Sequence, residues 1–325
     1  MELDPLHIPV DNKEGMVHLH TKGYYKNLAT TSRSMVNNKP YFSDMQRFRI
    51  EPTIDIGDNV QIYIAYDNEM IVGDFLRSPD FDLVKQKNEK YLNWLPVQWT
   101  LADGRGVYYT TYLYRGYIRY DDPRFQIIVG KQKIDWGRCH FWSPMDLFNP
   151  NTPLDIEKDE RVGVDAASAN ASITDFLNFD LVYVPYDALN KSSFAVRAFC
   201  RIENYDILLM SGQFKKNNVI GGCVDGYLGG ASIRGEFTYT WEHGGADYFH
   251  LIGAQVGYDL TPLLKWDNYM IFDLNGNSLF VNPELKYNLK PNLDITLGAQ
   301  VFWGPADSEF NDYKDIYYGE MKYYF

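Results

Sequence analysis

The chain has 325 residues, 16% of them aromatic, and a formal net charge of −12. Such a charge opposes a nucleic-acid partner, whose phosphates call for a basic footprint. Mean hydropathy is −0.36, and no run approaches the roughly 18 apolar residues of a membrane-spanning helix, so a helical membrane protein is excluded while a barrel of alternating strands is not.

Residues 1–15 show no alternation and read as an N-terminal segment on the periplasmic side of a barrel. Met1-Glu2-Leu3-Asp4-Pro5 has neither a basic region nor an apolar stretch, so the chain is taken as a mature form with an initiating Met. Period-2 alternation then runs to the end of the chain. Phe48, Ile50, Pro52, Ile54 and Ile56 share one face, and Arg47, Arg49, Glu51, Thr53 and Asp55 the other. After the turn Gly57-Asp58-Asn59, Val60, Ile62 and Ile64 resume the apolar row. The same pattern recurs in Leu293, Ile295, Leu297, Ala299, Val301 and Trp303 against Asp294, Thr296, Gly298 and Gln300.

The strands fall near 16–28, 42–56, 59–70, 107–120, 124–136, 160–173, 177–185, 193–203, 205–214, 219–228, 231–241, 247–258, 263–273, 279–289, 292–303 and 315–325. They number sixteen, and a closed bacterial barrel takes an even count. With a periplasmic N-terminus, the connections at 57–59, 121–124, 174–178, 203–205, 229–230, 259–262 and 289–292 share one side and are short. The long ones, 29–41, 71–106, 137–159, 185–192, 242–247 and 304–314, fall on the other; 71–106 and 137–159 are the longest external loops. Within 71–106, Ser78-Pro79-Asp80 caps a short helix, with Trp94 and Trp99 behind it. Aromatic residues end the apolar rows, Trp241, Trp303 and Tyr108 outside and Tyr120, Tyr258 and Tyr287 inside, as membrane girdles do. The last strand ends in Phe325, an ending that resembles that of outer-membrane barrels. A soluble β-sandwich also alternates, but it has no reason to sort its loops by length. The fold class is therefore a transmembrane antiparallel up-and-down all-β barrel of about sixteen strands, forming a single domain over 1–325.

Residues 130–150 contain Gly130-x-Gln132, Trp136-Gly137, Ser143-Pro144-x-Asp146 and Asn149-Pro150. This resembles a family of Gram-negative outer-membrane barrels with a GxQxxxWG strand end and an SPxDxxNP loop, and alginate-export-type barrels are similar. The resemblance implies fold and compartment, not substrate; Cys139-His140 stands outside the pattern. The stretch is stiff, with prolines and large aromatic side chains. Trp136, Phe141, Trp142, Asp146 and Phe148 are the candidate constriction, if the loop folds into the lumen rather than capping the wall.

The candidate pore-lining charges are Arg47, Arg49, Arg115, Lys131, Lys133 and Arg197 on one wall, with Glu236 and Glu284 on the other. Opposed walls would set up a transverse field and a mild anion preference; the alternative is that they pair with Glu51, Asp55, Asp135 and Lys286 along the wall. Tyr63 and Tyr205 are taken as interior tyrosines. His18 and His20 share the inward face of one strand without the further ligands a metal needs. Cys139, Cys200 and Cys223 have no metal or disulfide spacing. His140, Ser143 and Asp146 are catalytic residue types in a loop with its own structural explanation, so no catalytic residue, metal or cofactor is assigned. The reading is a bacterial outer-membrane porin passing small hydrophilic solutes by diffusion, surrounded by lipid and lipopolysaccharide. An occluded structural or partner-binding barrel (a sheath or adhesin) is the alternative, and an outer-membrane enzyme a more distant one.

Overall fold

The computed structural model describes residues 17–90, 97–136, 145–148, 163–174, 176–186, 192–214, 217–228, 231–241 and 248–324. The expectations for the N-terminal segment, for Trp94, for Phe141 and Trp142 in the second long loop, and for Phe325 lie outside the described residues. The strands are β1 (Val17–Arg33), β2 (Pro40–Ile56), β3 (Val60–Val72), β4 (Gln98–Asp103), β5 (Val107–Asp121), β6 (Phe125–Gln132), β7 (Val164–Thr174), β8 (Leu177–Val184), β9 (Ser193–Ile202), β10 (Tyr205–Phe214), β11 (Asn217–Leu228), β12 (Ala231–Trp241), β13 (Tyr248–Thr261), β14 (Leu264–Asp273), β15 (Ser278–Lys290), β16 (Leu293–Trp303) and β17 (Ile316–Tyr324).

Apart from β4, each strand pairs antiparallel with the next, β3 passing directly to β5. β17 returns to β1, from Tyr24↔Tyr324 to Ser32↔Ile316. The result is a closed sixteen-strand barrel, with every strand within a few residues of its expected place. β4 is the departure. β6 pairs with β5 only between Gly116 and Asp121. On that same edge of β5, β4 takes over nearer the long-loop end, from Gln98↔Tyr112 to Asp103↔Tyr108. A short strand thus extends the wall where β6 stops, and its exposed Trp99 belongs to that wall rather than to the back of a helix.

Alternation sets the two faces. Val129, Ile118, Leu181, Leu209, Phe237, Ile252 and Leu297 are exposed on the outside, while their sequence neighbours turn inward as the period-2 geometry requires. Tyr205 belongs to the outer row, lying where a Cβ on Gly226 would fall, so it is not an interior tyrosine. Pro283 has no N–H for the ladder, and the β15–β16 pairing lapses between Val281↔Val301 and Glu284↔Gly298 without a change of register. The neighbouring Asn282 donates from Nδ2 to the Ala299 carbonyl at 2.5 Å, satisfying an acceptor beside that break.

At the long-loop end a short 3-10 turn (Asp74–Arg77) leads into helix α1 (Pro79–Lys90). Ser78 Oγ accepts the Phe81 N–H at 3.3 Å, the expected cap. Asp80 accepts from Ser34 Oγ at 3.1 Å and the Met35 N–H at 2.9 Å, tying the helix to the β1–β2 connection. Phe81 meets the Tyr108 ring edge-on at 5.1 Å, so Tyr108 packs beneath the helix instead of joining the outer girdle. Trp303, Tyr120, Tyr258 and Tyr287 are exposed near their strand ends, as girdle residues would be.

Leu209→Arg tests which solvent the outer face meets. On a lipid-facing wall the substitution destabilises the barrel by about 2–4 kcal/mol at mid-depth, read as a lower unfolding midpoint after refolding into bilayers. A water-facing Leu209, already exposed, would accept Arg with little change.

Candidate functional site

The Gly130-x-Gln132 motif is where the chain leaves the wall. Gly130 has φ of 129°, and a Cβ there would strike the Gly116 carbonyl across the ladder, so only glycine fits. Gln132, the last residue of β6, is buried. Its Nε2 donates to the Ile128 and Ala166 carbonyls, both at 3.0 Å, and its Oε1 accepts from Ser168 Oγ at 2.7 Å. One amide thus stitches β6 to β7 at the point of departure.

Beyond it, Ile134, Trp136, Met145 and Phe148 pack with Ala166, Val182, Ala195, Leu208, Met210, Phe214, Val219 and Cys223 on the inner faces of β7–β11. The Trp136 N–H donates to Asp146 Oδ1 at 3.0 Å, Trp136 meets Phe148 edge-on at 5.3 Å, and Phe148 packs on Phe214 at 4.7 Å. The described parts of the loop therefore lie inside the barrel. Arg197 holds them there: its Nε and Nη2 bind Asp180 at 2.8 and 2.7 Å, and Nη1 donates to the Trp136 carbonyl at 3.3 Å. Arg197 thus anchors the loop to the wall.

A second connection also folds inward. Phe310 and Tyr313, between β16 and β17, join Tyr269, Ile271, Phe280 and Phe302, with Tyr313 stacked on Phe302 at 5.2 Å. Leu28, Met45 and Tyr318 form a smaller cluster with Ile71. These lumenal apolar groups escape a strict polar-inward reading. Their signal is nonetheless in the sequence: Leu208-Leu209-Met210 is apolar on both faces, and Phe280 and Phe302 interrupt polar rows.

Arg47 and Arg49 of the basic wall are paired with carboxylates, as Arg197 is with Asp180. Arg49 is buried and bidentate to Asp67 at 2.5 and 2.6 Å, with its guanidinium 3.4 Å from the Tyr114 ring centroid and 5.1 Å from that of Tyr24. Arg47 binds Glu69 at 2.6 Å and lies 3.4 Å from Asp67. Arg115 stacks on Tyr114 at 4.6 Å and donates to its hydroxyl at 3.0 Å. That contact arises because Tyr114 is the extra residue of a bulge opposite Ala65 and Tyr66. Lys133 pairs with Asp135 at 2.5 Å. Lys131 is buried, cross-strand from Asp165 and beneath Gly163, on the parity of the outward-facing Val129.

On the far wall, Glu284 accepts from the Tyr318 hydroxyl at 2.9 Å, and Glu236 is buried. There a chain of contacts runs from Asp225 to Arg234 at 3.1 Å, to Gln255 at 2.9 Å and to Asp267 at 3.3 Å. Lys26 binds Glu320 at 3.1 Å. The structure brings Arg47, Arg49 and Arg115 together around Asp67 and Tyr114, and sets Arg197 apart with the inward loop.

Tyr63 faces the lumen, stacked on Tyr117 at 5.0 Å. His20 lies 3.4 Å from Asp55, and no group of three metal-ligating side chains occurs among the described residues. Of the possible catalytic types, Asp146 is buried as the acceptor for Trp136; His140 and Ser143 lie outside the described residues.

This is the architecture of a porin-type barrel. No family model matches the chain and no curated protein matches it, so the motif resemblance stands on residues 130–150 alone. Solved structures do match. The anion-selective porin from Comamonas acidovorans aligns with a TM-score of 0.60 at 8% identity, over 95% of this chain and 99% of that one. A triple-mutant porin of Rhodopseudomonas blastica gives 0.58 at 9%, over 94% and 100%. A loop-deletion mutant of OmpT, an outer-membrane protein of Vibrio cholerae, gives 0.56 at 10%, over 96% and 100%. At these identities the likeness is one of fold.

Asp67→Asn takes from buried Arg49 the carboxylate it grips with two bonds, leaving Glu51 at 3.8 Å as a more distant acid, and breaking such a buried pair costs up to about 3–5 kcal/mol. A urea unfolding midpoint should fall accordingly, whereas Arg49→Met with Asp67→Leu together should restore most of the loss.

Proposed function

We propose that this chain is an outer-membrane channel through which small hydrophilic solutes diffuse, without chemistry or energy coupling. The observation that carries the reading is the closed ring itself: apolar rows exposed outside, ion pairs and hydrogen-bonded side chains inside. A sixteen-strand ring is wide enough to hold water, and an exposed apolar outer face needs lipid, here with lipopolysaccharide, to cover it. The stretches 133–136 and 145–148 narrow the passage, with Trp136, Asp146 and Phe148 anchored to the inner wall. Arg47, Arg49 and Arg197 are offset by carboxylates of their own wall, which weakens a transverse field built on them.

The three apolar clusters inside the ring favour one rival, an occluded barrel serving as a sheath or adhesin. Liposome swelling separates the two. A channel admits sugars at rates that fall with their size, while an occluded barrel admits none of them. Trp136→Ala combined with Phe148→Ala should loosen the inward loop and raise single-channel conductance. Unchanged conductance would mean that the bore is set elsewhere.

A further inference from the structure

The tyrosines that face the lumen are engaged in different ways. Tyr114 carries Arg49 and Arg115 against its ring, and Tyr318 donates to Glu284. Tyr63 and Tyr117 do neither. Their rings stack on each other, at 5.0 Å and 27°, and among the described residues neither hydroxyl has a hydrogen-bond partner. Both side chains are half-buried, and neither oxygen is among the sealed-off polar atoms of the wall, so both hydroxyls meet lumenal water.

The register explains why the pair stands clear. One row across four strands reads Thr53, Tyr63, Tyr117 and Gly130. Rings stacked across neighbouring strands turn their other faces along that row, Tyr63 toward the short Thr53 and Tyr117 toward Gly130. The glycine is demanded by its φ of 129° and by the nearby Gly116 carbonyl, so position 130 leaves that flank without a side chain. Toward the short turns, the next row holds Asp55, Gln61 and Arg119. Gln61 donates to Asp55 at 2.8 Å, and Arg119 binds Asp121 at 2.7 Å. Toward the long loops, Glu51 lies 3.8 Å from both Lys22 and Arg49. The aromatic shelf is thus bordered by polar groups whose charges largely cancel.

We propose that this shelf is a docking site for neutral pyranose sugars. A pyranose ring offers a face of C–H bonds to an aromatic ring and a rim of hydroxyls to polar neighbours. Each tyrosine hydroxyl both donates and accepts, and Asp55, with about four acceptor positions, is only partly filled by Gln61 and by His20 at 3.4 Å. An ion gains little where the bordering charges already cancel. A wholly apolar solute would strip water from two hydroxyls and return no hydrogen bond. The site deepens the channel reading by naming a solute class, and it rests on that reading only for the passage of the bound sugar.

The test is a ligand-observed NMR titration of cellotetraose against the folded barrel in a detergent that carries no sugar group. Saturation should pass to the C–H protons of the sugar, and the affinity should fall about tenfold in Y63A/Y117A, which lacks both stacking faces. Y63L/Y117L, which keeps side-chain volume without aromatic faces, should lose as much and serves where the alanine pair does not refold. Y63F/Y117F should bind better than either, because it keeps the rings. Y120A, which removes an outward ring from the same strand as Tyr117, should bind as the original chain does. Absence of binding, undiminished affinity in the leucine pair, or an equal loss in Y120A overturns the site. The two readings fail separately. A barrel that admits no sugar into liposomes yet binds cellotetraose through these rings overturns the channel and keeps the site. One that admits sugars but binds none of them overturns the site alone.

Discussion

Closure of the hydrogen-bond ladder is the constraint on which the other features depend. A strand left with an open edge in hydrocarbon would expose peptide groups that have no water to bind. Here the pairing of Tyr24–Ser32 with Ile316–Tyr324 removes the last edge of the ring. Closure also fixes the parity of every residue, because a slip of one position would carry a whole apolar row to the opposite face. The local devices preserve it. Asn282 satisfies a carbonyl beside Pro283, and β4 continues the wall beyond the end of β6.

The lumen follows from that parity. Charges brought onto one face of adjacent strands meet at cross-strand distance, and in a confined space pairing is favoured over isolation. Arg49 sits between two tyrosine rings and on Asp67; Arg197 bridges Asp180 and the carbonyl of Trp136. The same logic makes sense of the motif at residues 130–146. Gly130 permits a backbone conformation other residues resist, Gln132 seals the end of β6, and Asp146 catches the Trp136 amide. Together these residues turn the chain inward and fasten it to an apolar inner wall.

Strand number, order and faces were legible in the sequence because period-2 alternation and turn residues are local signals. β4 was not: Gln98–Asp103 is six residues long, and its pairing exists only because β6 stops early. The charges were legible as residues but not as partners. Which carboxylate meets Arg47 or Arg49 depends on register, and bulges shift it. The extra residue Tyr114 places two successive side chains at the same arginine cluster, which no simple alternation foresees. Tyr205 lay one position from the inward row, and the inward apolar side chains of β10 were masked by a run apolar on both faces.

The most direct measurement is spin-label accessibility in lipid bilayers, with the native cysteines replaced. Labels at Val129, Ile252 and Leu297 should relax with dissolved oxygen and be shielded from a polar nickel chelate, while labels at Thr53, Asn178 and Lys286 should show the reverse. If the chelate reaches the first set and oxygen the second, the faces are exchanged and the barrel does not stand in lipid as described.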